Sequence, residues 1–234
     1  MPIFKRSSGK RIHLDKEIEK SRYDGYAEKE MSQNPLSNIE TPLSDISLIH
    51  RPPYPKYYEE LSGLIQPHMT VLELGAGTGR HNHVFANIGC KVIAVDISDK
   101  SLEVYKLRNS KIEAVQASFE EIPLSSNSID VIVSSGSLSY GEPAKVNSKI
   151  FRLLKRDGDL VIVDSLNHNL VYRFNRYIHY LKKDRSKSTL SRIPDRKRLT
   201  AFSSRFESVS IYSFRSHLWA LGSLLRIFGL STIV

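Results

Sequence analysis

The stretch that most limits what this chain can fold into is TVLEL (Thr70–Leu74), an apolar run that breaks at once into GAGTGRH. Five residues of this kind suit a strand buried on both faces and are too few for a buried helix. Gly75, Gly77 and Gly79 follow at alternate positions, as a tight turn opening into a helix requires, and the helix is expected over residues 81–88. The alternation then repeats. KVIAVDIS reads as a second strand, KSLEVYKLRN as a second helix and IEAVQASF as a third strand. IDVIVSSG reads as a fourth strand, AKVNSKIFRLLKR as a helix with apolar positions at helical spacing, and GDLVIVDSL as a fifth strand. Strands alternating with helices of this length predict an α/β fold, with a parallel sheet covered by helices on both faces.

The flanks differ from this centre. Residues up to Ser21 are polar and basic and are expected to form a loosely attached arm, followed by a helix over SRYDGYAEKEMSQ and turns over NPLSNIETPLSD. A short helix is expected over residues 56–65, ahead of the first strand. After Leu166 the rhythm breaks. The basic and aromatic stretch from Asn169 reads as helical to Lys183 and irregular through SRIPD, and RFESVSIYSF reads as a later strand. The organisation expected is an arm and cap helix over residues 1–56, a nucleoside-binding core over 57–166, and a specificity element over 167–234 that completes the sheet.

Composition narrows the function classes. Apolar residues make up 40% and charged residues 25% of 234, the balance of a folded globular chain. Cys90 is the single cysteine, so no internal disulfide forms and a cysteine-rich zinc site is excluded. The eight histidines show no ligand spacing, and no metal is expected. The N-terminus lacks the apolar centre of a secretory leader, and no run reaches the roughly 18 apolar residues of a spanning helix. The expected location is cytoplasmic, with the inner face of a membrane left open. Positive charge is concentrated late: from Lys145 onward there are 18 Lys or Arg against 6 Asp or Glu.

The glycine turn has an acidic counterpart. Asp96 stands at the end of the second strand, 17 residues beyond Gly79, where a carboxylate accepts both hydroxyls of a ribose. A dinucleotide fingerprint would place Gly or Ala where this chain has Arg80. Glu73, just before the turn, would repel a pyrophosphate but accept from an ammonium. A cofactor with ribose, adenine and an amino-acid tail suits the pattern better.

VLELGAGTGRH followed by VIAVDIS resembles the signature of class I S-adenosylmethionine-dependent methyltransferases, and the likeness continues through ASFEEIPLSSNSIDVIVSSGSLSYGEP and IFRLLKRDGDLVIVD. It covers residues 57–164, with a looser echo in RYDGYAEKE. The resemblance implies a Rossmann-like, doubly wound, mostly parallel seven-stranded sheet and S-adenosyl-L-methionine as cofactor. It also implies a cofactor set of Glu73, Gly75, Ala76, Gly77, Gly79, Asp96, Ile97, Ser118, Phe119 and Ser135, with Tyr23 from the leading helix. Within that set Ser118 and Phe119 would lie near the adenine, and Ser135 with Gly136 beside the methionine portion. The chain departs from the family at Ser139 and Tyr140, where relatives often carry an acidic residue and His, and this removes the most familiar candidate base.

Methyl transfer from a sulfonium is an in-line displacement, so alignment and exclusion of water supply much of the rate. A base is needed mainly for a hydroxyl acceptor. Tyr140 and His168 both follow sheet strands and are the candidate catalytic residues; packing against the methionine tail is the competing role for Tyr140. Tyr23 and Tyr26, three apart on one helical face, either close over the cofactor or anchor their helix.

The acceptor is less legible. The 11 Lys or Arg between Ser165 and Arg205 would suit phosphates, yet Tyr172, Phe174, Tyr177 and Tyr180 fall at the spacing of an inward helical face, which disfavours nucleic acid. A small-molecule, saccharide or lipid-linked acceptor fits better, with peripheral membrane contact through residues 170–198 and 217–230. An RNA or protein methyltransferase, or a non-catalytic nucleoside-binding protein of the same fold, are the alternatives. Monomer and homodimer are both compatible with the sequence.

Overall fold

The computed structural model describes residues 8–33, 43, 46, 50–166 and 191–214. Within them lie α1 (Ser8–Gln33), α2 (Tyr54–Leu64), β1 (Thr70–Leu74), α3 (Asn82–Ile88), β2 (Lys91–Asp96), α4 (Asp99–Arg108) and β3 (Glu113–Gln116). They continue with β4 (Ile129–Ser135), a 3-10 turn (Leu138–Tyr140), α5 (Pro143–Leu153), β5 (Leu154–Val163) and α6 (Arg196–Ser203). The strands form one sheet in the order β3-β2-β1-β4-β5, every pair parallel.

Leu72 and Leu74 point to one face and pack with Ile93, Val95, Ile132 and the α5 residues Val146, Ile150 and Leu153. Val71 points to the other, among Tyr57, Leu61, Phe85 and Tyr105 from α2, α3 and α4. The period of two along β1 thus divides a core that helices cover on both sides. Leu72 is fully buried, and cutting it to alanine would cost about 2–5 kcal/mol. α4 starts at Ser98, whose hydroxyl accepts from the Ser101 N–H at 3.0 Å, with Asp99 in its first turn and Arg108 in its last. α5 starts at Glu142, which accepts from the N–H groups of Ala144 and Lys145, and has Pro143 in its first turn.

Several expectations need correction. α1 begins at Ser8 rather than at Ser21, because the basic residues expected to be mobile find carboxylates. Lys16 pairs with Glu120 at 2.5 Å and Lys20 with Asp99 at 2.5 Å, while Glu28 pairs with Lys100 and Glu30 with Arg108. The helix over AKVNSKIFRLLKR stops at Leu153, where Asn127 and Ser128 donate their N–H groups to the Arg152 and Leu153 carbonyls. Leu154 opens β5 at once, and the strand slips register between Ile129 and Val131, with Lys155 held by Asp130 at 2.7 Å.

Seven strands were expected, and the described residues hold five. Residues 208–214, within the stretch read as a later strand, carry no regular structure among the described residues and are exposed. Val209 and Ile211 alternate as a strand would, but Tyr212 and Phe214 switch the apolar side, so no single face is consistently apolar. The expected helix up to Lys183, most of the basic and aromatic stretch, and the apolar segment 217–230 lie outside the described residues.

Candidate active site

The C-terminal ends of β1, β2 and β4 meet at one edge of the sheet, with connections leaving β1 toward β2 on one side and β4 pairing on the other. Open parallel sheets hold ligands at such a reversal. The turn after β1 is anchored from below: Gly75 and Ala76 both donate N–H to the Val95 carbonyl, at 2.9 and 3.1 Å. Its glycines have different reasons to be glycine. A Cβ on Gly79 would meet the Tyr105 ring at 2.1 Å, and one on Gly75 would meet Ser137 Cβ at 2.4 Å. Gly77, at φ +53°, has nothing within 4 Å of that position and faces open space.

Asp96 is built into the turn itself. One carboxylate oxygen accepts the Gly77 N–H at 2.8 Å, and the other accepts the Ser98 N–H at 2.9 Å. The acid thereby fixes the turn, and each oxygen retains a lone pair for a hydroxyl donor. Burial raises its pKa, and the N–H bonds oppose that rise. Ala76 is buried within the turn, and Ile97 is half-buried with its carbonyl accepting from Gln116 Nε2 at 3.3 Å.

Glu73 is 2% exposed, and Tyr105 donates to its Oε2 at 2.9 Å. Burial pushes its carboxyl up to about 8, with Asp96 adding to the rise against the Tyr105 hydrogen bond. The hydroxyl of Tyr57, whose pKa is raised first by burial and then by Glu73, is buried without a hydrogen-bond partner among the described residues. The unmet Tyr57 hydroxyl, the carboxyls of Glu73 and Asp96 with acceptor capacity left over, and the open face of Gly77 fit a ligand that brings an ammonium and hydroxyls to this edge.

The opposite wall comes from β4. Ser134 and Ser137 share a hydrogen bond of 2.7 Å, and both reach the Leu74 carbonyl, Ser137 at 2.8 Å. Ser135 instead bonds Tyr54 Oη at 3.0 Å. The Tyr54 ring stacks on His81 with centroids 5.5 Å apart, and Tyr58 Oη lies 3.0 Å from His81 Nδ1. Burial, with Arg80 and His83 adding to it, pushes His81 down to about 3, so the ring is neutral. Gly136 donates its N–H to Val163 at 2.8 Å, and Asp164 accepts from Leu138 N–H at 3.2 Å.

α1 crosses this edge. Asp24 accepts from the Ser98 hydroxyl at 2.6 Å, and Tyr23 donates to Tyr140 Oη at 2.6 Å, their rings edge to face. Tyr26 is 55% exposed; its ring meets that of Tyr23 edge to face at 6.0 Å, and Arg22 lies over both rings at 5.2 and 5.4 Å. Ser118 accepts from Lys16 at 3.1 Å and donates to Glu121, tying the turn after β3 to α1. Phe119 is buried and packs against Gly75 and Gly141. Arg192 reaches the Tyr140 carbonyl at 3.5 Å.

Thus Glu73, the glycines, Asp96, Ser135, Tyr23 and Tyr140 gather at one edge, whereas His168 lies outside the described residues. Sequence reasoning missed Tyr54, Tyr57, Tyr105 and Ser137. Two of these left a trace: Tyr54 and Tyr57 sit with Tyr58 at i, i+3 and i+4, one face of a helix immediately before β1.

Comparison with known proteins finds similarity to methyltransferases. Residues 72–162 match the methyltransferase domain. A demethylmenaquinone methyltransferase of Paenarthrobacter aurescens is 34% identical over 115 residues, 48% of this chain and 45% of that protein. Its counterpart in Renibacterium salmoninarum is 32% identical over 99 residues, 42% of each chain. The chain therefore spans less than half the length of these curated relatives. Geranyl diphosphate C-methyltransferase of Streptomyces coelicolor shares the fold, with a TM-score of 0.58 at 15% identity over 76% of this chain and 69% of that one.

Proposed function

We propose, from the premise that residues 72–162 are a methyltransferase domain of class I architecture, that the chain transfers the methyl group of S-adenosylmethionine to a small-molecule acceptor. The observation that carries this reading is the clamp between the turn and the acid, in which Asp96 holds Gly77 N–H at 2.8 Å beside the buried Glu73. Asp96 would hold the ribose hydroxyls, the turn from Gly75 to Gly79 would border the amino-acid portion, and Glu73 with Tyr57 would receive its ammonium. Ser118, Phe119 and Ile97 are assigned to the nucleoside side, and Ser135 and Tyr23 to the methionine side. When bound, the cofactor supplies a methyl carbon made electrophilic by its sulfonium.

The protein's part is then to align and to exclude water. Tyr140 is assigned to orient the acceptor, with the 2.6 Å bond from Tyr23 fixing its ring. His168 is the second candidate for taking a proton from a hydroxyl acceptor. A small apolar acceptor is favoured by the curated relatives, which are named for demethylmenaquinone. A saccharide or lipid-linked acceptor is the wider class to which the same edge is open. Completion of the sheet to seven strands falls to residues after Val163.

Calorimetry with S-adenosylmethionine tests the cofactor assignment. Binding should be lost in Asp96→Ala and Gly77→Arg, and binding that persists unchanged in both would overturn it. Methyl-label transfer to fractionated extract tests the acceptor: label in the small-molecule or lipid pool is expected, and label confined to RNA or protein would refute the assignment.

A further inference from the structure

We propose that residues 192–214 form an edge that docks on an anionic lipid surface. The starting point is a cluster of apolar exposure. Of eight large hydrophobic side chains exposed among the described residues, Val209, Ile211, Tyr212 and Phe214 fall within six positions. Single exposed apolar residues are ordinary, but a run of this density marks a contact surface. All residues from Glu207 to Phe214 are exposed.

The run is anchored and exposed cations precede it, whereas at its far end Lys56 is already paired with Glu59 and Glu60, and Glu207 is exposed at its start. Phe202 and Phe206 pack against Phe151 on the body of the domain, with ring centroids at 5.4 and 5.0 Å. Lys56 lies 5.1 Å from the Tyr212 ring and ties the far end to α2. Between these anchors and Ile193, which is buried, stands α6, whose Arg196, Lys197 and Arg198 are exposed. The nearby carboxylate of Asp195 is committed to the helix start, where it accepts the Arg198 N–H at 2.8 Å. Arg205 is exposed and rests 3.7 Å over the Phe151 ring.

Two halves of one chemistry are therefore held on one short segment. A nucleic acid would account for the cations and leave four apolar side chains in water. A second copy of the chain would account for the apolar residues and bring like charges together. A bilayer carrying anionic headgroups satisfies both, with phosphates on the Lys and Arg side chains and Ile211 and Phe214 at the acyl boundary. No helix among the described residues is long and apolar enough to cross a membrane, so the contact is peripheral.

The test uses the full chain, without cofactor, in flotation with phosphatidylcholine vesicles that contain or lack phosphatidylglycerol. Binding should be tighter by about tenfold or more on the anionic vesicles and should fall as salt rises. Ile211→Ser with Phe214→Ser, and separately Arg196→Ser with Lys197→Ser and Arg198→Ser, should each weaken it by about tenfold. The second variant changes only exposed side chains, so it carries the test should the first fail to fold. Equal binding to both vesicle types, or cationic variants that float like the parent chain, would overturn the proposal. So would self-association abolished by Ile211→Ser with Phe214→Ser in a chain that binds no vesicles. None of these readouts requires methyl transfer, so the proposal and the enzymatic reading fail separately.

Discussion

Replacing Glu73 by Gln should change how the cofactor-free protein responds to pH. The Glu73 carboxyl is raised from 4.5 to about 8, so between those values the folded chain keeps a proton that the unfolded chain has released. Its contribution to stability is fully present below pH 4.5 and is lost as pH rises to about 8. His81, lowered from 6.5 to about 3, runs the other way: stability is lost as pH falls from 6.5 toward 3. The two slopes oppose each other between 4.5 and 6.5, so the Glu73 effect is cleanest from pH 6.5 to about 8. At about 1.4 kcal/mol per pH unit, that window removes about 2 kcal/mol from the parent chain. Glu73→Gln keeps an oxygen for the Tyr105 hydroxyl and has no proton to lose, so its contribution should be flat there. Urea unfolding at fixed pH values measures both. A variant with the same slope as the parent, or a parent whose stability does not fall across the window, would refute the reasoning.

Further outcomes follow from the same contacts. Gly79→Ala, at φ +76° with a Cβ 2.1 Å from Tyr105, should destabilise by about 2–4 kcal/mol in urea unfolding. Gly77→Ala, with no such neighbour, should cost about 1 kcal/mol yet weaken S-adenosylmethionine in calorimetry by about tenfold. Replacing His81 by Leu should flatten the acid side of the stability profile, because the neutral ring's contribution, lost as pH falls below 6.5, is gone. Tyr23→Phe removes the 2.6 Å bond to Tyr140 and should cost about 1 kcal/mol, with a fall in kcat larger than the change in KM for the cofactor.

The elements legible in the sequence were those whose signal is local. β1, β2 and β4 are apolar runs closed by turn residues, and α4 has Ser98 at its start and basic residues at its end. Gly77 and Asp96 were legible as a pair because their spacing reflects one strand, turn and helix. What escaped depends on partners distant in the chain. The first half of α1 reads as an arm until Lys16 meets Ser118, 102 residues on. Ser137 reads as one serine among several until it reaches the Leu74 carbonyl, 63 residues back. α6 had only Asp195 after Pro194 to announce it, and the bases around it read as a surface suited to phosphates or a membrane rather than as a helix. Leu154 was assigned to a helix because its pattern continues α5, and only the pairing with Ile129 makes it a strand.

Tyr54 joins two walls that the sheet alone would leave independent, since its hydroxyl reaches Ser135 on β4 while its ring lies on His81 behind the turn from β1. The match to the methyltransferase domain begins at residue 72, but the working unit cannot be cut there. A fragment starting at β1 would lose Tyr54, Tyr57 and Tyr58 together, leaving His81 and Ser135 to face water. Where this sheet is grafted or trimmed, α2 belongs with the edge that gathers Glu73, Asp96 and Ser135, because Tyr54 joins its two walls.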